Sequence, residues 1–149
     1  MKNYGVFDIL GPTMIGPSSS HTAGAVRLGK IGREIVGPDF NKVVFNLHGS
    51  FAKTYEGHGT DKALVAGVLG MGPDDERIKS SLEMAESLGI EIIFQEKDLG
   101  YVHPNTVEII FYGNGKGFQD FTITGSSIGG GSIEIINING LPVIFTGDK

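Results

Sequence analysis

The chain has 149 residues and a formal charge of −5, from 12 Lys+Arg against 17 Asp+Glu, with 40% hydrophobic and 19% charged residues. That is enough apolar material for one folded core and too little charge for a disordered chain. The scarcity of basic runs argues against nucleic acid and anionic membranes as partners, and the absence of cysteine excludes disulfides and any iron–sulfur cluster held by this chain's own thiolates. No apolar run approaches the ~18 residues of a membrane span, and the N-terminus lacks a basic-then-apolar signal pattern, so a cytoplasmic location is expected.

Residues 4–10 read as a short strand or extended lead-in. The stretch Gly11-Pro-Thr-Met-Ile-Gly-Pro-Ser-Ser-Ser-His-Thr-Ala-Gly24 then places two Gly-Pro punctuators around an apolar step, followed by three hydroxyls and a histidine. The pattern predicts a helix over residues 22–36, with Leu28, Ile31 and Ile35 on one face and Arg27, Lys30 and Glu34 on another. Gly29 and Gly32 lie near the Ala25 face and predict close contact with a sheet or a second helix. Gly37-Pro38 ends the element. Ser18, Ser19 and Ser20 suit an N-cap, and with His21 and Thr22 they would gather side-chain donors where free backbone N–H groups and the positive dipole end meet. Such a point suits a carboxylate or phosphate. An ordinary Ser-capped helix is the alternative.

Residues 42–48 predict a strand rich in β-formers, with His48 as a packed strand residue. The polar run Gly49-Ser-Phe-Ala-Lys-Thr-Tyr-Glu-Gly-His-Gly-Thr-Asp61 leads into a helix over residues 60–69, which Thr60 can cap. His58 stands between two glycines. An imidazole presented in this way suits proton transfer or anion contact, and a solvated loop histidine is the alternative. A third helix is predicted over residues 73–88, with Asp74, Asp75 and Glu76 in its first turn and Gly89 as its C-cap.

Strands are then predicted over residues 91–95, 106–112, 118–124, 132–138 and 141–146, with hairpin turns over 112–117 and 137–140. Helices first and a meander afterwards predict an α+β fold of one domain over residues 1–149, with helices packed on one face of a mixed, mostly antiparallel sheet. His103-Pro-Asn-Thr106 is either a plain turn or a place where His103 and Asn105 form a polar pair for a small ligand. Thr124-Gly-Ser-Ser-Ile-Gly-Gly-Gly131 is either an anion-binding nest or a wide β-loop. No metal site is expected, since none of His21, His48, His58 and His103 is paired at i, i+3 or i+4 on a helix with a carboxylate. The short segment after the last strand reads as the end of a domain of a longer protein, or of a subunit.

Six ordered motifs carry a resemblance: Phe7-Asp8-Ile9 with Gly11-Pro12, Gly16 to Gly24, Gly49-Ser-Phe-Ala52, Gly57-His-Gly-Thr-Asp61, His103-Pro-Asn-Thr106 and Gly125-Ser-Ser-Ile-Gly-Gly-Gly131. Together they resemble the β chain of the iron–sulfur L-serine dehydratases. Tyr55-Glu56 departs from the Gly plus basic residue that many relatives carry before Gly-His-Gly. The resemblance implies conversion of L-serine to pyruvate and ammonia, with a [4Fe-4S] cluster bound by the partner α chain and not by this one. It implies a domain similar to the allosteric substrate-binding domain of some phosphoglycerate dehydrogenases. In two-chain members an ACT domain commonly follows; nothing like one stands in this sequence, which therefore reads as a truncated chain or a shortened subunit. Combined with the residues above, it makes His58 the candidate catalytic proton-transfer group. Ser18, Ser19, Ser20, His21 and Thr22 become the substrate-carboxylate cradle, and His103 and Asn105 a site for an effector serine. A homodimer is left open. The rival classes are a regulatory module that binds a small carboxylate or phosphate without catalysis, and a structural subunit whose Ser-rich loop only caps a helix.

Overall fold

A computed structural model of the chain describes residues 19–54, 59–113 and 117–147. The expected lead-in strand over residues 4–10 lies outside them. The elements follow in the order α1 (Ser19–Val36), β1 (Phe40–Leu47), α2 (Gly49–Thr54), α3 (Thr60–Val68), a 3-10 turn (Glu76–Ser80), α4 (Ser81–Ser87), β2 (Glu91–Glu96), β3 (Thr106–Gly113), β4 (Phe121–Gly129), β5 (Ser132–Ile138) and β6 (Leu141–Gly147). The six strands form one sheet in the order β2-β1-β3-β4-β5-β6. β1 and β2 are parallel, joined through the intervening helices, and every other pair is antiparallel. This is the expected α+β architecture with a mixed sheet.

Alternation along the strands decides which face is covered. Val43, Phe45 and Leu47 of β1, Val107, Ile109 and Phe111 of β3, Ile123 of β4, and Ile133 and Ile135 of β5 are buried in one core with Val26 and Leu28 of α1 and Leu64, Val65 and Val68 of α3. The register Val43↔Phe111 and Phe45↔Ile109, continued by Ile109↔Ile123, keeps these side chains on the same face. The intervening residues Asn46, Glu108, Thr122 and Thr124 therefore face the other way.

Two helix contacts depend on missing side chains. A Cβ on Gly29 would lie 2.5 Å from the Leu64 carbonyl oxygen, and a Cβ on Gly67 would collide with the Val26 carbonyl oxygen and lie 2.8 Å from Lys30 N. α1 and α3 thus cross backbone to backbone, as the glycine spacing predicted. Beside this crossing, Arg33 Nη1 of α1 donates to the Val68 carbonyl at the end of α3 at 3.0 Å.

The structure differs from the expectation at several elements. Residues 49–54, read as loop, form α2, whose Phe51 is fully buried. The single helix expected over 73–88 is broken. Asp75 is the N-cap of the 3-10 turn, its Oδ1 accepting from Arg77 N at 2.8 Å. α4 then starts at Ser81, whose Oγ donates to the Lys62 carbonyl at 2.7 Å and ties it to α3. The acidic cluster acts as a turn and cap because a side-chain acceptor competes locally with continuous helix. The Arg77 guanidinium bonded to Asp75, helped by the Arg77 backbone N–H, holds that carboxyl down at about 2. Gly59, with φ 78°, is the N-cap of α3, and Thr60, expected as the cap, is its first helical residue. The Thr124–Gly131 stretch is mostly strand: β4 runs through Gly129, and the turn lies at Gly129, Gly130 and Gly131, all with positive φ. Among the described residues no helix is long and apolar enough to cross a membrane.

Candidate functional site

Four of the polar motifs come together at the end of the sheet where β1 and β4 finish and β3 begins. Just past β1, His48 N donates to the Thr106 carbonyl at 3.0 Å, and Ser50 N donates to the Pro104 carbonyl at 2.8 Å. Gly49 admits this approach with φ 58°, where a Cβ would sit 2.5 Å from the Pro104 oxygen. On the other side of the 103–106 turn, Ser127 N donates to the Asn105 carbonyl at 2.9 Å. Thr106 Oγ1 donates to the His103 carbonyl at 2.6 Å and lies 2.7 Å from Ser126 Oγ. Against Ser127 rests α1: a Cβ on Gly24 would fall 2.8 Å from the Ser127 Cβ and closer still to its Oγ. The start of α1, the end of β4 and the His103–Thr106 turn are thus one connected unit.

The hydrogen-bond ledger of the polar motifs does not close. Thr22 Oγ1, Thr60 Oγ1 and Asn105 Oδ1 are all buried without a hydrogen-bond partner among the described residues. Thr60 is 1% exposed. Thr22 and Thr60 lie one turn before Val26 and Leu64, the residues of the helix crossing, so each hydroxyl belongs to the N-terminal turn region of its helix. Buried polar groups without partners are costly, each worth about 1–3 kcal/mol. Orphaned hydroxyls on two helix starts and an orphaned amide oxygen on the 103–106 turn are the kind of groups a small polar molecule satisfies.

Among the sequence-predicted residues, Thr22 is part of this unit. Ser19, Ser20 and His21 form the first turn of α1, and their side chains lie outside the described residues. Ser18 and His58 lie outside them altogether. His103 and Asn105 are joined, but through the backbone: His103 Nδ1 accepts from Asn105 N at 3.0 Å. The imidazole is exposed and organises the turn, while the Asn105 amide oxygen is buried. His48 is half-buried beside the strand end, its Nδ1 accepting from Leu99 N at 2.9 Å with Asp98 Oδ1 at 3.9 Å. Sequence reasoning missed Thr60 as an orphaned hydroxyl and the Thr106–Ser126 hydroxyl pair. All three residues lay within motifs already singled out, Thr60 beside Gly59 and Ser126 beside Gly125. Among the described residues no three His, Asp or Glu side chains gather as metal ligands. With no cysteine in the sequence, the chain's residues do not fit an iron–sulfur cluster.

The sequence matches the family described as Serine dehydratase beta chain over residues 5–89. It is 51% identical over 150 residues, 99% of this chain, to the "L-serine dehydratase, beta chain" of Peptoniphilus asaccharolyticus. It is 48% identical over 148 residues to the "Probable L-serine dehydratase, beta chain" of Bacillus subtilis. The chain spans 66% of the length of each of these relatives. A match of 34% over 152 residues to the "L-serine dehydratase" of Streptomyces coelicolor covers 33% of that longer protein. The family match spans more than half of the sequence and includes the Ser-rich helix start, the Gly-His-Gly loop and α3, so the chain belongs to the serine dehydratase β-chain family.

Proposed function

We propose that the chain is the β part of an L-serine dehydratase, deaminating L-serine to pyruvate and ammonia in the cytoplasm together with a partner α chain. The observation that carries this reading is the family match over residues 5–89, a span that holds the buried, unpartnered hydroxyls of Thr22 and Thr60. The partner α chain supplies the [4Fe-4S] cluster, for which this chain has no thiolate. This chain's own contribution is binding, orientation and proton handling. The start of α1, with Ser18, Ser19, Ser20, His21 and Thr22, receives the substrate carboxylate on backbone N–H groups and hydroxyls. His58, two residues before Thr60, moves a proton at the substrate carbon or leaving oxygen. His103 and Asn105 hold an effector serine beside the same end of the sheet.

The test is anaerobic mixing with an iron–sulfur α chain and measurement of pyruvate. The chain alone is expected to be inert and the mixture active. His58→Ala is expected to lower turnover of the mixture by about 10²–10⁴-fold without preventing association. Ser19→Ala combined with Ser20→Ala is expected to weaken carboxylate binding while leaving the fold intact. Pyruvate from the chain alone refutes the division of labour. A mixture that binds serine at the α1 start yet gains nothing from His58 supports the regulatory small-carboxylate module instead.

A further inference from the structure

The sheet face opposite the helices carries a row of polar side chains, one of which, Asn46, has a buried Oδ1 without a partner among the described residues. Register places Asn46 opposite Glu108, Glu108 opposite Thr124, and Thr124 opposite Asn137, so these four side chains form one row across β1, β3, β4 and β5. Over the row lies a cleft of about 510 Å³ floored by Glu108, Thr122, Thr124, Ile136 and Asn137 and walled by Leu99 and Val102. That volume lies within the roughly 300–1,000 Å³ of small-molecule sites.

The hydrogen bonds along the row are one-sided. Glu108 Oε1 accepts from Asn46 Nδ2 at 2.9 Å and from Lys97 Nζ at 3.1 Å, while Oε2 accepts from no described group. Asn46, 4% exposed, has its own Oδ1 buried without a partner. Asn137 Oδ1 accepts from Gly140 N at 2.8 Å, which fixes its amide and leaves the Nδ2 donor unused among the described residues. The Thr122 and Thr124 hydroxyls likewise have no described partner. The cleft therefore offers a held carboxylate oxygen at the Glu108 side and donors at the Asn137 side. Apolar surface from Leu99, Val102 and Ile136 lies around them.

We propose that this cleft binds a free α-amino acid with a small aliphatic side chain. Its ammonium goes to Glu108 Oε2, its carboxylate to Asn137 Nδ2 and the threonine hydroxyls, and its side chain to Leu99, Val102 and Ile136. A bare cation leaves the donors unused, and a bare carboxylate leaves Glu108 Oε2 without a donor. Only the zwitterion satisfies both ends. The site is separate from the α1 and α3 starts and does not depend on the function proposed for them.

The test is a titration of the whole ¹⁵N-labelled chain with L-valine, isobutylamine and isobutyrate, followed through its amide resonances. L-valine is expected to shift Leu99, Val102, Thr122, Thr124 and Gly140 together, isobutylamine to do so more weakly, and isobutyrate not at all. Glu108→Gln keeps an acceptor oxygen for Asn46 while removing the charge, and is expected to weaken L-valine binding about tenfold or more. Thr124→Val, at a different point of the floor, is expected to weaken it without altering the Glu108 contacts. The proposal is overturned if L-valine leaves these amides unmoved at tens of millimolar. It is equally overturned if isobutyrate binds as well as L-valine, if both variants bind like the native chain, or if shifts fall only at the starts of α1 and α3.

Discussion

Replacing Gly67 with alanine tests whether backbone contact between α1 and α3 sets the position of both helix starts. In an isolated helix the change would help, since alanine is favoured over glycine by about 1 kcal/mol. Here the new Cβ would collide with the Val26 carbonyl oxygen and sit 2.8 Å from Lys30 N and 3.0 Å from Gly29 Cα. All three are backbone atoms, so no rotamer change relieves them. Ordinary contact at about 3.5–4.0 Å requires the helices to part by about 1 Å. That loosens Val26, Leu64 and Val68, all fully buried. Overpacking of this kind costs about 1–3 kcal/mol or more. With the upper part of that range set against the propensity gain, the net loss is about 2 kcal/mol. For a chain of this size, that lowers Tm by about 4–8 °C. Urea unfolding followed by circular dichroism measures it, with Gly72→Ala as control, since a Cβ there meets nothing within 4 Å. A Gly67→Ala chain as stable as the native one, or more so, refutes the backbone-contact account.

Three further outcomes are expected. Thr60→Val removes a buried hydroxyl that has no partner, so the ligand-free chain should gain up to about 1 kcal/mol in urea unfolding while losing affinity for small carboxylates by calorimetry; a stability loss with unchanged affinity contradicts the assignment. His48→Ala deletes the acceptor of Leu99 N and should cost about 1 kcal/mol, with faster hydrogen exchange at the Leu99 amide and little effect on reconstituted turnover. Asp75 has its carboxyl lowered from 3.8 to about 2, so its contribution is present above 3.8 and lost as pH falls through about 2; Asp75→Asn should flatten acid unfolding across that window, and an unchanged acid limb would show that the Arg77 contact does not bear on stability.

Much of the architecture was legible from local patterns. β-branched and aromatic runs marked the strands, and Gly37 and Gly89 marked helix ends, because hydrophobic period and glycine conformation act over a few residues. Gly29 likewise announced a close helix contact. The break at Asp75 and the extra helix α2 were not legible. The break combines a local cap of Asp75 on Arg77 with a distant tie of Ser81 to the Lys62 carbonyl, and α2 depends on Phe51 entering a core assembled from strands that come later in the chain.

The same division applies to the site. Residue types alone singled out helix starts with hydroxyls and histidines as candidates for the polar chemistry, and left the chain without a cysteine to hold an iron–sulfur cluster. Only the tertiary structure decided which of these motifs meet. The crossing at Gly29 and Gly67 packs α1 on α3, and the antiparallel turnback of β3 and β4 brings Ser127, bonded to the Asn105 carbonyl, against Gly24 near the start of α1. It also decided which hydroxyls lack partners, since satisfaction of a buried group depends on every chain segment that surrounds it. The polar row from Asn46 to Asn137 is the extreme case: its members lie on four strands, and nothing but sheet register aligns them.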